Sequence, residues 1–392
     1  MRNPLCEKVV NIKPSGIRKF FDIASEMKDA ISLGVGEPDF DTPWHIRDEG
    51  IYSLEQGRTF YTSNAGLKDL KIEIARYLKR RIGVEYDYNH EIMVTVGGSE
   101  GIDIALRAMI DPGDEVLIPQ PSYVSYEPCA ILTGAKPVII ELKAENEFRL
   151  TAQELRDAIT DKTKVLVLPF PNNPTGAIME RHDLEAIAEV VEEHDLYVIS
   201  DEIYSELSYK GDHVSITQLP GMKERTVLIN GFSKAYAMTG WRLGYACAPQ
   251  VILQQMLKIH QFAIMCVPTM AQEALIALLK HGFETNFDFV EEMRLEYDRK
   301  RKFIYKALLD MGLNCFEPKG AFYIFPQVSH LGMDDETFVE RLLYDKKVAV
   351  VPGSAFSETD RSHVRISYAY SMERLERAME RMNDFVEELK KG

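Results

Sequence analysis

The hydrophobic positions of the chain fall into short continuous runs that alternate with segments of helical period. The runs are rich in β-branched residues and end at Gly, Pro or Asn, which is typical of strands buried on both faces. Predicted strands cover 91–96, 115–118, 136–142, 163–169, 196–200, 225–230 and 243–248, and predicted helices include 45–56, 66–82, 151–160 and 180–194. This alternation predicts an α/β fold in which a mainly parallel sheet is covered by helices.

The pattern changes after a long charged segment that predicts a helix at 284–311. Shorter elements follow, with strands predicted at 321–325, 348–351 and 364–367 and helices at 335–345 and from 371. They indicate a smaller α+β unit. The first 44 residues are rich in Pro and Gly and read as an arm. We therefore predict an arm with part of the small domain at 1–44, a large domain at 45–285 and a small domain at 286–392.

Composition restricts the partners of the protein. The chain has 392 residues and a formal net charge of −15, so a nucleic-acid or acidic-lipid partner is not expected. Its five cysteines are widely spaced, without a CxxC pair, so neither disulfides nor a metal site is predicted. No apolar run has the length of a signal peptide or a membrane span. These features predict a cytoplasmic protein.

Chemically useful side chains follow the predicted strand at 225–230. Ser233 and Lys234 come where this strand ends, and Arg242 follows in the same motif. Burial disfavours the charged form of a lysine, and a neutral amine can form a Schiff base with an aldehyde. An arginine can hold a phosphate with its planar set of donors. Taken alone, the stretch is equally compatible with a Lys234 that pairs with an acid.

Three other predicted strands also end in polar or small residues. Gly98, Ser99 and Glu100 follow 91–96, where a new helix offers free N–H groups to a phosphate. Asn173 follows 163–169 between two prolines, and Asp201 and Tyr204 follow 196–200. Ligands of such sheets lie beyond the carboxyl ends of the strands, so these side chains are expected to meet.

A cofactor with an aldehyde, a phosphate and a basic ring nitrogen would use all four strand ends. Lys234 would bind the aldehyde, and Asp201 would keep the ring nitrogen protonated so that the ring withdraws electrons. Tyr204 and Asn173 would hydrogen-bond the ring oxygen. The phosphate would be held by residues that follow two of the strands. These are Gly98 and Ser99 after 91–96, and Ser233 and Arg242 after 225–230.

The motifs PNNPTG, SDEIY and SKAYAMTGWRLGY resemble those of the fold type I pyridoxal-phosphate enzymes. More narrowly, the chain is similar to class I aminotransferases of the aspartate and aromatic aminotransferase group. The likeness runs from LGVGEPDFDTP at 33–43 to HVRISYA at 363–369. It implies pyridoxal 5'-phosphate as the cofactor of the large domain, with Lys234, Asp201 and Tyr204 as catalytic residues.

The resemblance also assigns residues that spacing alone leaves ambiguous. Tyr61 would reach the cofactor phosphate of the opposite subunit, which implies a homodimer with shared active sites. Tyr123 would stack on the cofactor, Gly36 would contact the substrate carboxylate through its backbone, and Arg365 would clamp that carboxylate. Composition alone favours a surface ion pair for Arg365 over this role. Gly231 stands where some members carry a phosphate-binding serine.

The expected reaction is the transfer of an amino group from an L-amino acid to a 2-oxo acid, 2-oxoglutarate above all, with ping-pong kinetics. Aspartate, aromatic and broad-range donors all stay open. Ile17 and Phe20, with Tyr123, indicate an apolar side-chain pocket, whereas Arg18 is a candidate second cation for a dicarboxylic substrate.

Three alternatives accompany this expectation. A carbon–sulfur β-lyase of the same fold would release ammonia and pyruvate from cystathionine without an oxo-acid acceptor. A ligand-sensing transcription regulator would need a DNA-binding segment before this domain, but the motifs begin within the first few dozen residues. A dinucleotide-dependent dehydrogenase would need a strand followed by GxGxxG, which the sequence lacks.

Overall fold

A computed structural model describes residues 2–14, 16, 23 and 26–391. The predictions for Ile17, Arg18 and Phe20 lie outside these described residues. The strands, in chain order, are β1 (Ile31–Ser32), β2 (Ile92–Thr95), β3 (Glu115–Gln120), β4 (Lys136–Glu141), β5 (Thr163–Leu168), β6 (Tyr197–Asp201), β7 (Thr226–Gly231), β8 (Gly244–Cys247), β9 (Tyr323–Ile324), β10 (Val348–Ala349), β11 (Val351–Pro352) and β12 (Val364–Ser367).

The α-helices occupy the segments between most of these strands. They are α1 (Glu7–Val10), α2 (Trp44–Glu55), α3 (Lys68–Ile82), α4 (Gly97–Met109), α5 (Tyr126–Thr133), α6 (Ala152–Ala158), α7 (Arg181–Glu193), α8 (Gln250–Ala263), α9 (Thr269–Thr285), α10 (Asp288–Met311), α11 (Asp335–Lys346) and α12 (Met372–Lys391). The helix predicted at 284–311 was wrong at its start. Asn286 and Phe287 have left-handed φ angles of 59° and 58°, so α9 stops before them and α10 begins after them.

The central sheet has the strand order β2-β8-β7-β6-β5-β3-β4. β7, β6, β5, β3 and β4 are parallel, and β8 is antiparallel to both of its neighbours. The mainly parallel α/β sheet predicted from the sequence is therefore confirmed. β5 shows why its sequence is continuously apolar. Leu166 and Leu168 belong to the core on one face of the sheet, and Val165 and Val167 to the core on the other.

The direction of the strands brings the predicted strand ends together. Because β5, β6 and β7 are parallel, the segments that follow Leu168, Asp201 and Gly231 leave the sheet at one edge. β8 runs the other way, so the residues that precede Gly244, including Arg242, lie at that same edge. β2 is antiparallel to β8 and ends there too, and α4 begins directly after it.

The smaller unit packs around α10, α11 and α12, with β9, β11 and β12 in an antiparallel sheet. The segment predicted as one strand at 348–351 is two strands in different sheets. Ile31 and Leu33 of the arm are buried in the core of this unit, and β1 pairs in parallel with β10. Residues 31–33 therefore pack with the C-terminal unit, while the domain limits stay a prediction. In the described part of the chain, no helix is long and apolar enough to cross a membrane.

Candidate active site

A cavity of about 580 Å³ lies where the strand ends meet. The arm contributes residues 34–37 to its wall, and the small unit contributes Tyr323 and Arg365. The predicted site residues that line it are Gly36, Gly98, Ser99, Tyr123, Asn173, Asp201, Tyr204, Ser233, Lys234, Arg242 and Arg365. The fold thus brings into one cavity residues that are far apart in the sequence, such as Gly36 and Arg365.

Lys234 lines this cavity. Its Nζ donates a hydrogen bond to the backbone carbonyl of Gly36 at 2.6 Å. Burial lowers the pKa of Lys234 to about 8; the Glu37 carboxylate opposes this shift, while the Arg365 guanidinium adds to it. The acid partner that the sequence left open is absent, because no carboxylate of the described residues lies within ion-pair distance of Nζ. Lys234 can therefore supply a neutral amine near physiological pH.

Asp201 is a buried carboxylate at the end of β6. Its Oδ2 accepts a hydrogen bond from the Tyr126 hydroxyl at 2.7 Å, and its Oδ1 accepts one from the Ile203 N–H at 3.2 Å. Burial raises the pKa of Asp201 to about 6, and these two donors act against that shift. A cation placed beside Asp201 would favour the ionised carboxylate. An ionised carboxylate in turn stabilises a protonated ring nitrogen.

Tyr204 and Tyr323 form a hydroxyl pair in the wall of the cavity. Their Oη atoms are 2.7 Å apart, and both side chains are buried. Burial raises the pKa of both phenols, so each is a neutral hydrogen-bonding group at physiological pH. Tyr323 comes from the small unit, and the pair therefore joins the two parts of the molecule across the site.

Arg365 is the most deeply buried cation in the cavity, at 2% exposure. Its Nη1 donates to Asn173 Oδ1 at 2.8 Å, its Nη2 donates to the Gly34 carbonyl, and its Nε has no partner in the part of the chain that the structure describes. Within the described residues no carboxylate lies within 4.0 Å of it. A buried guanidinium without a counter-anion is costly unless an anionic ligand completes it. The surface ion pair considered from the sequence is therefore wrong.

The part of the cavity at the start of α4 allows hydrogen-bond donors to come close to a bound anion. Gly97 adopts a left-handed φ of 71°, and a Cβ at Gly97 would lie 2.5 Å from Arg242 Nη2. Arg242 itself has a left-handed φ of 54° and donates from Nη1 to the Thr239 carbonyl at 3.0 Å. Gly98 and Ser99 present the start of α4 to the same space, together with Ser233.

Two predicted site residues do not line the cavity. The Glu100 side chain turns away from it, and its carboxylate contacts the Val96 N–H and the His260 ring. Any contact of Glu100 with a ligand would be through its backbone. Tyr61 is 81% exposed and is not part of the cavity wall.

Sequence reasoning missed Tyr126, Tyr323 and Glu37. Tyr126 stands near the predicted Tyr123 in PQPSYVSY, but only the fold shows that its hydroxyl meets Asp201. Tyr323 lies in an apolar run that signals a strand, and its partner is 119 residues away. Glu37 was readable as an acid inside the GVGEPDF motif. Its effect on Lys234 depends on the arm folding over the strand ends.

Comparisons with known proteins identify the family of the chain. The family described as "Aminotransferase class I and II" matches residues 28–382. The chain belongs to this family. It is 49% identical to the aspartate aminotransferase of Pyrococcus abyssi, over 97% of each chain. It is 44% identical to aromatic-amino-acid aminotransferase 2 of Thermococcus litoralis, over 98% of this chain and 99% of the relative. Among solved structures, an aromatic aminotransferase from Pyrococcus horikoshii matches with a TM-score of 0.90 and 48% identity, over 95% of this chain and 99% of that chain.

The protein is an aminotransferase that depends on pyridoxal phosphate, as the sequence predicted. The residues present fit this cofactor. Lys234 offers an amine of lowered pKa to the aldehyde, and the buried Asp201 offers a carboxylate to a ring nitrogen. The close approach of Arg242 to Gly97, where a Cβ would clash, leaves cationic donors at the start of α4 for the phosphate. Its substrates are small molecules.

Proposed function

We propose that this aminotransferase moves the amino group of an L-amino acid to a 2-oxo acid, with 2-oxoglutarate as the acceptor, in a ping-pong reaction. The observation that carries the substrate class is Arg365. This guanidinium is buried, has no carboxylate partner among the described residues and keeps an unpaired Nε. Its planar donors match the carboxylate that amino acids and 2-oxo acids share. Asn173, which accepts from Arg365 Nη1, fixes the orientation of this group.

Different residues of the cavity serve the proton transfers, the cofactor ring and the cofactor phosphate. Pyridoxal phosphate supplies the aldehyde carbon that takes up the amino group and a protonated ring that withdraws electrons from the substrate. Lys234 Nζ, held near Gly36, removes the proton from the substrate α-carbon and later returns a proton. The Asp201 carboxylate would accept the hydrogen bond of the protonated ring nitrogen, and the Tyr204 hydroxyl would donate to the ring oxygen. Gly98, Ser99, Ser233 and Arg242 would hold the phosphate, and Tyr123 would stack on the ring.

We propose that large uncharged donors, aromatic ones included, are preferred to aspartate. In the described part of the cavity wall the cations are Lys234, Arg242 and Arg365, and the roles proposed above would pair each of them with the cofactor or with the α-carboxylate. Glu37 places a carboxylate in the same wall and would repel a second acidic group. The names of the relatives, aspartate and aromatic aminotransferases, are compatible with both donor types.

The assembly proposed is a homodimer with shared sites. Several large side chains are exposed in the single chain, among them Phe60 at 82%, Tyr61 at 81% and Phe262 at 86%. Exposed aromatic residues of this kind mark an interaction surface. Tyr61 would complete the phosphate site of the partner subunit. The cysteines Cys6, Cys129, Cys247, Cys266 and Cys315 are all free, which supports a cytoplasmic location.

An absorbance titration tests the reaction and the donor together. Phenylalanine should convert the visible cofactor band to the near-ultraviolet band of the amine form at lower concentration than aspartate does, and 2-oxoglutarate should restore the visible band. The Lys234→Ala variant should show no turnover. With cystathionine as the added amino acid, a visible band that persists while pyruvate and ammonia accumulate would instead indicate a β-lyase. A lower half-saturating concentration for aspartate would contradict the donor preference but not transamination.

A further inference from the structure

Glu100 and His260 form a buried pair directly beneath the proposed phosphate site. His260 comes from α8 and is fully buried, and its Nδ1 lies 2.6 Å from Glu100 Oε1. Glu100 lies in the first turn of α4, and its Oε2 accepts from the backbone N–H of Val96 at 2.5 Å. Since the partner of Nδ1 is a carboxylate, Nδ1 carries a proton and donates it.

The second ring nitrogen of His260, Nε2, does not explain why this position is occupied by a histidine. Nε2 is buried and has no hydrogen-bond partner among residues 2–14, 16, 23 and 26–391. A buried unpaired polar atom is destabilising, and an apolar side chain of similar volume would avoid that cost. α8 packs on α4 through Ile252, Leu253 and Met256, which already supply the apolar contact. The histidine is therefore explained by its bond to Glu100.

The Glu100 carboxylate has to be held away from the cavity because it lies in the first turn of α4. The start of α4 offers its N–H groups and its positive dipole end to an anion, and Gly98 and Ser99 line the cavity there. A carboxylate in the same turn would compete for those N–H groups and repel a phosphate dianion if it turned toward the cavity. In the structure it is held on the side of Val96. The Thr95 hydroxyl ties the same turn by donating to the Gly97 carbonyl at 2.9 Å.

We propose that His260 is a positioning residue for the cofactor phosphate. It holds the Glu100 carboxylate on the Val96 N–H, so that the N–H groups at the start of α4 stay available to the phosphate and the carboxylate charge stays outside the site. This inference rests on the phosphate assignment to Gly98, Ser99 and Arg242 made above. The proposed effect is limited to binding of the phosphate group of the cofactor. It can therefore be distinguished from a general loss of stability.

The test compares two ligands that differ only in the phosphate. The dissociation constants of pyridoxal 5'-phosphate and of pyridoxal are measured on the full-length chain by absorbance. For His260→Ala we expect about ten-fold weaker binding of pyridoxal 5'-phosphate, with pyridoxal changed by less than about two-fold. Equal weakening of both ligands, or no weakening of either, would overturn the proposal.

A second substitution provides a rescue that a merely structural role would not produce. In the double variant His260→Ala with Glu100→Gln, the amide oxygen still accepts from Val96 but carries no charge. Binding of pyridoxal 5'-phosphate should return to within about three-fold of the native value. If His260→Ala does not fold, His260→Leu replaces it with the same expectation, because an apolar side chain of similar volume fills the space but cannot hold the Glu100 carboxylate. A double variant as weak as the single one would contradict the charge argument.

Two controls separate this inference from its premise. His363→Ala removes a comparable histidine–carboxylate pair, in which Nδ1 and the Asp360 oxygens are 3.1 Å apart, and should leave the ratio of the two constants unchanged. Arg242→Ala should weaken only the phosphorylated ligand. If Arg242→Ala leaves the ratio unchanged, the phosphate assignment fails. If Arg242→Ala changes it and His260→Ala does not, only the role of His260 fails.

Discussion

At the scale of single residues, burial shifts the two central titrating groups toward their neutral forms. It lowers the pKa of Lys234 to about 8 and raises that of Asp201 to about 6. The two groups differ in what surrounds them. Lys234 has only a carbonyl acceptor within hydrogen-bond distance in the described residues, whereas Asp201 has two donors. The lysine is therefore ready to become a neutral nucleophile, and the aspartate is prepared to accept a cationic partner.

The pKa of Lys234 predicts how cofactor loading depends on pH. The amine is cationic below about pH 8 and neutral above it, so the rate at which cofactor-free protein develops the visible band should rise with pH. Between pH 7 and pH 9 we expect a rise of about ten-fold, levelling off above that range. Stopped-flow absorbance measures this rate, and Lys234→Ala, which should give no band, is the control. A rate that keeps rising through pH 10 would indicate an unshifted lysine.

Tyr126 supports the ionised form of Asp201, and its removal should have a defined effect. Tyr126→Phe deletes the donor to Oδ2, which raises the pKa of the carboxylate. The acid limb of the kcat profile should move to higher pH, and kcat at neutral pH should fall about ten-fold. The matched control is Tyr245→Phe, which removes a buried hydroxyl without a partner. Equal losses in both variants would refute a specific role for Tyr126.

At the scale of elements, the start of α4 depends on the neighbouring strand as much as on its own sequence. β8 passes so close to it that a Cβ at Gly244 would lie 2.6 Å from the Gly97 carbonyl carbon and 2.8 Å from the Gly98 nitrogen. Both are backbone atoms, which cannot rotate away. The glycine of β8 therefore sets the position from which α4 faces the cofactor.

Gly244→Ala should accordingly displace the start of α4. We expect weaker binding of pyridoxal 5'-phosphate, by about ten-fold or more, together with a loss of stability of about 1–3 kcal/mol. Gly332→Ala is a suitable control because it strains a left-handed glycine with nothing within 4 Å, far from this helix. It should lower stability without changing the dissociation constant of the cofactor. Unchanged cofactor binding in Gly244→Ala would show that α4 tolerates the shift.

At the scale of the whole molecule, the site is a junction of three parts of the chain. The arm supplies Gly36, the large sheet supplies Lys234 and Asp201, and the small unit supplies Arg365 and Tyr323. Hydrogen bonds join these parts within the cavity, from Lys234 to Gly36 and from Tyr323 to Tyr204. A change in the packing of the small unit would therefore reach the substrate through Arg365.

The proposed dimer predicts complementation between two inactive subunits. Tyr61→Ala and Lys234→Ala, produced separately, should each lose most activity. A mixed dimer places the native Tyr61 of one subunit next to the native Lys234 of the other, so one of its two sites is intact. Coexpression with two different tags and tandem purification should yield about half of the native specific activity. Mixed dimers as inactive as the parents would show that Tyr61 does not serve the partner.

Much of this architecture was determined by the sequence alone. Alternating buried strands and helices, the polar residues at each strand end and the capping box of Thr151 and Glu154 are local patterns, and all are present in the structure. Lys234, Asp201, Asn173 and Arg365 could be named because motifs and strand ends mark them. Local propensity did not show the break at Asn286 and Phe287, since left-handed backbone at those residues depends on packing.

Only the tertiary structure decided which groups touch and how burial acts on them. The partnership of Tyr126 with Asp201, the unpaired Nε of Arg365 and the turn of Glu100 toward His260 join residues 75 to 160 positions apart, or depend on the absence of a neighbour. Periodicity and motifs carry no record of such contacts. A pKa shift likewise arises from desolvation and from charges that the fold brings near. The sequence determined the kinds of chemistry available, and the packing of the chain decided their arrangement.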